Sequence, residues 1–112
     1  MVTIYHNNRC SKSRKGLAYL EEKCASLEVK NYIKDGISPE EIKHILSVLD
    51  CSVKDIIREN EAEYKKHKKS NLSDEQWISL ISDEPKLLQR PIVIKGNKGV
   101  IARPYDKIDT IL

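Results

Sequence analysis

A β-prone run, Val2 to Tyr5, opens the chain and predicts a short strand. After the polar stretch His6-Asn7-Asn8-Arg9 the spacing lengthens to that of a helix, with Leu17, Leu20, Cys24 and Leu27 on one face. Val29 to Ile33 reads as a second strand, buried if the helix crosses the sheet in the usual right-handed sense.

The middle of the chain reads as helical. Ser38-Pro39-Glu40-Glu41 combines a capping serine, a proline suited to the first helical position and a glutamate that closes a capping box. Ile42, Ile45, Leu46 and Leu49 supply the buried face of that helix, and Val53, Ile56 and Ile57 predict a further short one. Ser73-Asp74-Glu75-Gln76 is a second capping box, opening a helix that buries Trp77, Ile78 and Ile81. Then Pro91-Ile92-Val93-Ile94 and Val100-Ile101-Ala102 flank Lys95-Gly96-Asn97-Lys98-Gly99, the signature of a tight antiparallel hairpin. Pro104 to Leu112, with Ile108, Ile111 and Leu112, closes as a short helix.

The order β-α-β, helices, β-β-α predicts an α/β, thioredoxin-like fold: a small mixed four-stranded sheet with a helical insertion at about residues 38–88. A chain of 112 residues suits one domain, residues 1–112. Hydrophobic residues at 39% and charged residues at 33% exclude fibrous and disordered classes, and the short apolar runs exclude a membrane span. With no signal-peptide pattern at the start, a cytoplasmic location is expected. The net charge of +3 comes from interspersed charges, and the basic run Lys65-Lys66-His67-Lys68-Lys69 lacks aromatic interleaving, so no nucleic-acid partner is expected.

Three cysteines at irregular spacing make neither a disulfide framework nor a metal site. Cys10 stands where the first strand hands over to the first helix, among Arg9, Lys12 and Arg14, a setting that favours thiolate. Ser13 occupies the second cysteine position of a Cys-x-x-Cys spacing, so the site is monothiol, and Ser13 is a candidate hydrogen-bond donor to the sulfur. Cys24 lies too far along the same helix to reach Cys10 and reads, like Cys51, as a packing residue. Arg58, Arg90 and Arg103 each end an element, and converging guanidiniums bind a tetrahedral oxyanion well. In a thioredoxin-like fold Arg90-Pro91 faces the cysteine and carries a cis bond. His6 is a candidate for orienting the loop or tuning the thiolate.

Taken in order, Ile4-Tyr5-His6-Asn7, Cys10, Ser13-Arg14, Ile57-Arg58-Glu59-Asn60, Arg90-Pro91-Ile92-Val93 and Arg103-Pro104 resemble the glutaredoxin-coupled arsenate reductase family. The resemblance implies a Cys10 nucleophile whose thiolate and oxyanion substrate are stabilised by Arg58, Arg90 and Arg103, with His6, Ser13 and Pro91 in support. It implies arsenate as substrate, glutathione as thiol co-substrate and glutaredoxin as partner, with no metal and no tightly bound cofactor. The chain departs from that family at Asn8, where a proline is common, and at Ser11-Lys12, where a small or neutral pair is common. Two alternatives stay open: a glutathione-dependent thiol-disulfide reductase, and a regulator similar to the Spx type, which binds RNA polymerase.

Overall fold

A computed structural model describes residues 1–112. The strands are β1 (Val2–His6), β2 (Leu27–Asn31), β3 (Ile92–Lys95) and β4 (Lys98–Ile101). The helices are α1 (Ser11–Lys23), the single turn α2 (Tyr32–Asp35), α3 (Pro39–Leu49), α4 (Ala62–His67) and α5 (Asp74–Asp83). Short 3₁₀ segments cover Val53–Ile56, Pro85–Leu87 and Tyr105–Thr110. The sheet order is β2-β1-β3-β4, with β1 parallel to β2 and antiparallel to β3, and β3 antiparallel to β4. This is the mixed, thioredoxin-like sheet expected from the element order.

Side chains on a strand alternate between faces. Val2 and Ile4 of β1 join Leu20, Val93, Ala102 and Ile108 in a small core beneath α1 and the C-terminal 3₁₀ segment. Tyr5 of β1 turns the other way with Ile92 and Ile94, into a larger core completed by the helical region, including Ile42, Ile45, Trp77 and Ile81. Both predicted capping boxes form: Ser38 accepts from the Glu41 amide at 3.1 Å, and Ser73 accepts from the Gln76 amide at 3.2 Å. The hairpin closes on two residues, Gly96 and Asn97, and Gly96 takes φ 61°, a conformation that favours glycine.

Two readings of the sequence are corrected. The second strand begins at Leu27 and ends at Asn31, because the Asn31 side chain accepts from the Lys34 amide at 3.2 Å and starts α2. Val29 is exposed, on a strand that stands at the edge of the sheet. The first helix stops at Lys23, with Cys24 as its cap, so Leu27 belongs to β2 rather than to the helix face. No helix is long and apolar enough to cross a membrane.

Candidate active site

Cys10 is the N-terminal cap of α1, in extended conformation at φ −96° and ψ 122°, half-buried. Its thiol is held below the ordinary cysteine range. Burial opposes ionisation, but the amides of Ser13 and Lys12 at the head of α1 and the charge of the Arg90 guanidinium together outweigh it. The cation beside the thiol is thus Arg90. The sequence offers Arg9, Lys12 and Arg14 as local cations and Arg90 as the one facing the cysteine from across the fold. Arg14 turns back and donates from Nη1 to the Asn8 carbonyl at 2.8 Å, and Lys12 contributes its backbone amide. Asn8 is exposed, and its carbonyl closes the loop by accepting this bond.

Ser13 plays a different part from the one its spacing suggested. Its hydroxyl is fully buried, lies 2.7 Å from His6 Nδ1 and accepts from the Asn7 amide at 3.0 Å. The hydroxyl therefore ties the end of β1 to the first turn of α1, and it is the backbone amide of Ser13, not the hydroxyl, that favours the Cys10 thiolate. His6 is buried and held below the ordinary histidine range, chiefly by burial, partly offset by its hydrogen bonding with Ser13 and reinforced by the Arg14 charge. It is a neutral, loop-fixing imidazole at physiological pH. Asn7 completes the loop, accepting from the Cys10 amide through its carbonyl at 3.0 Å and from the Arg9 amide through its side chain at 3.0 Å.

The guanidiniums arrive from the other side. The Arg90-Pro91 bond is cis, as is Arg103-Pro104. A Cβ on Gly16 would stand 2.9 Å from Pro91 Cγ, so the glycine is what lets α1 lie against the loop before β3. Arg58 is brought in by a short pairing between the helical region and the segment before β3. Ile57 bridges Leu88, the Arg58 amide donates to the Leu87 carbonyl at 2.7 Å, and the Gln89 amide donates to the Ile56 carbonyl at 2.8 Å. Arg103 Nη1 donates to Gln89 Oε1 at 3.4 Å, while Gln89 Nε2 donates to the Ile57 carbonyl at 3.0 Å. Arg58 is depressed by burial first, then by the charges of Arg90 and Arg103, whereas Glu61 and Cys10 oppose that depression. The three arginines and Cys10 thus form one electrostatic cluster.

Arg90 is the notable member, because its Nε and Nη1 are buried with no hydrogen-bond partner. Buried donors of a charged group are costly to leave unpaired, and these point to an anion as the missing acceptor. Arg58 and Arg103 line an adjoining cavity of about 580 Å³ together with Gln89 and Asn60.

Three residues of this site were not singled out from the sequence. Tyr32, fully buried, places its phenol among Arg90, Arg58 and Cys10. Burial pushes that phenol up to about 12 against the pull of the arginines, so it stays protonated, and it donates to the Leu88 carbonyl at 3.5 Å. Its only sequence signal was its position at the end of a β-prone run. Glu61 pairs with Arg58 Nη1 at 2.5 Å, an i,i+3 contact legible only once a turn at Arg58 is known. Gln89 carried no signal. Cys51 is pushed up by burial and by Asp55 and Asp50, opposite to Cys10 and in keeping with a packing role.

The ArsC family model matches residues 5–111. An arsenate reductase of Neisseria meningitidis is 35% identical over 99% of this chain and 97% of its own. The solved structure of an arsenate reductase from Vibrio cholerae superposes with a TM-score of 0.94 at 36% identity, covering 99% of this chain and 97% of that one. The global transcriptional regulator Spx of Listeria innocua is 31% identical over 100% of this chain and 87% of its own.

Proposed function

The chain belongs to the ArsC family, and from that premise we propose that it reduces arsenate to arsenite in the cytoplasm, with Cys10 as the nucleophile. The observation that carries the reading is Arg90: a guanidinium whose charge favours the Cys10 thiolate, with two buried donors lacking an acceptor. An oxyanion bound there accepts those donors while its central atom lies next to the sulfur. Arg58 and Arg103 hold its remaining oxygens and offset the charge that grows as sulfur attacks.

The Cys10 thiolate forms a bond to arsenic, and one arsenate oxygen takes up a proton and leaves as water. The electrons then come from outside, since Ser13 stands where a second thiol would be and Cys24 caps the far end of α1. Glutathione attacks the arsenic adduct and glutaredoxin completes the cycle. In sum two thiols are oxidised to one disulfide, and arsenic takes the electron pair. His6, Ser13 and Pro91 hold the loop and the facing arginine in place.

The test is arsenite formation from arsenate with glutathione, glutaredoxin and a regenerating reductase. Wild type turns over, Cys10→Ser does not, and Arg58→Ala and Arg103→Ala lose arsenate turnover while keeping exchange with a simple disulfide. Arsenate turnover that survives both arginine substitutions overturns the oxyanion assignment. Disulfide exchange without any arsenate turnover in wild type moves the reading to a thiol-disulfide reductase. The full-length similarity to Spx supports a second reading, a polymerase-binding regulator. Co-purification of RNA polymerase with a protein lacking thiol turnover selects it.

A further inference from the structure

Beside the arginine cavity lies a second one of about 550 Å³, lined by Lys12, Lys15, Ala102, Arg103, Pro104 and Tyr105. Its size is that of a small-ligand cleft, roughly 300–1,000 Å³. Arg103 lines both cavities, so the groove opens directly from the oxyanion side of the site. Lys12 is in the first turn of the helix that Cys10 caps, and Lys15 follows on the same face, three residues on.

We propose that this groove is where the external thiol docks, and that the ligand it takes is a small thiol peptide carrying at least two carboxylates. The inference rests on the reading that Cys10 reacts with glutathione as the external thiol, and adds to it the place where that thiol docks and the side chains that select its charge. Charge selects the class: three cations line the groove and no carboxylate does, and neither Lys12 nor Lys15 is engaged in an ion pair. The hollow that continues past Lys15 and Tyr105 is lined by one carboxylate, Glu22. The floor is apolar and fixed. Tyr105 is 43% exposed, yet its ring packs edge-on against Tyr19 at 5.0 Å, and Tyr19 is anchored by donating to Asp109 Oδ1 at 2.5 Å. A peptide laid over Pro104 and Tyr105 with its carboxylates on the lysines would present its sulfur toward Cys10. Neutral and cationic thiols gain nothing from the groove.

The test uses the full chain and needs no arsenate. Cys10 thiolate attacks one sulfur of a disulfide, the S–S bond breaks, a mixed disulfide forms and the other half leaves as thiolate. Its rate is followed by mass spectrometry of the Cys10 peptide with three probes: anionic glutathione disulfide, neutral hydroxyethyl disulfide and cationic cystamine. Lys15→Glu slows the glutathione disulfide reaction about fivefold, leaves hydroxyethyl disulfide unchanged and speeds cystamine. Lys34→Glu makes the same charge change outside the groove, beside Asn7, Asn8 and Arg9, and leaves all three rates as they were. An equal effect of the two substitutions, or none from Lys15→Glu, overturns the groove. No reaction of Cys10 with any probe overturns the thiol-exchange reading beneath it. Exchange that follows the groove's charge in a protein inactive on arsenate keeps this inference and removes only the arsenate step.

Discussion

The loop that carries Cys10 and the arginines that face it are built in contrasting ways. Between His6 and Ser13 the backbone is stitched by its own neighbours: Ser13 to His6 and Asn7, Asn7 to Arg9 and Cys10, and Arg14 to Asn8. Arg58, Arg90 and Arg103 come from three distant segments, share one region of like charge, and leave two donors of Arg90 unpaired. The first region is satisfied and rigid as it stands, whereas the second is complete only with an anion. A nucleophile needs a fixed geometry before substrate arrives, and a receptor for charge needs unspent hydrogen bonds.

The contrast is tested most severely at Arg90. Arg90→Gln is expected to lower oxyanion turnover by about 10²–10³, the usual loss for one charge-stabilising donor. It is also expected to raise the Cys10 pKa. Since thiolate is the reactive form, the rate of iodoacetamide alkylation falls as pH drops through the thiol pKa, and in the variant that fall begins at higher pH. An unchanged alkylation profile would mean that the α1 amides alone hold the thiolate.

Ser13→Ala probes the other region. It leaves His6 Nδ1 and the Asn7 amide without their buried partner, so a loss of about 1–3 kcal/mol in urea unfolding is expected. The Cys10 titration should stay in place, because the Ser13 amide survives the substitution. A marked shift in that titration would show that the hydroxyl acts on the sulfur after all.

The smallest effect is expected at Glu61, which competes with a bound oxyanion for Arg58. Glu61→Gln should lower the KM for the oxyanion about two- to fivefold with little change in stability. A rise in KM would instead make Glu61 a support that aims Arg58 at the substrate.

Much of the fold was legible because its signals are local. The boxes at Ser38 and Ser73 act within a single turn, the Gly96-Asn97 hairpin within two residues, and the cysteine at a strand-to-helix junction within a short loop. Where an outcome depended on what lay across the sheet, the sequence misled. Val29 was expected to be buried if the helix crossed the sheet above it, but β2 is an edge strand, and nothing in residues 27–31 says which side of β1 they occupy. Ser13 was placed near the sulfur by spacing alone, and its hydroxyl was claimed by His6, a partner on the preceding strand.

The sequence by itself determined the elements, the monothiol at the head of α1 and the identity of the arginines, because periodicity, capping and residue chemistry act over a few neighbouring positions. Only the tertiary structure decided that Arg90, rather than the sequence neighbours Arg9, Lys12 and Arg14, is the cation whose charge acts on Cys10, and that Tyr32, Glu61 and Gln89 join the site. Those placements follow from the pairing of Ile56–Arg58 with Leu87–Gln89 and from the close packing of Gly16 on Pro91. Such contacts join segments remote in the chain, and their geometry is set by how two cores pack on one sheet.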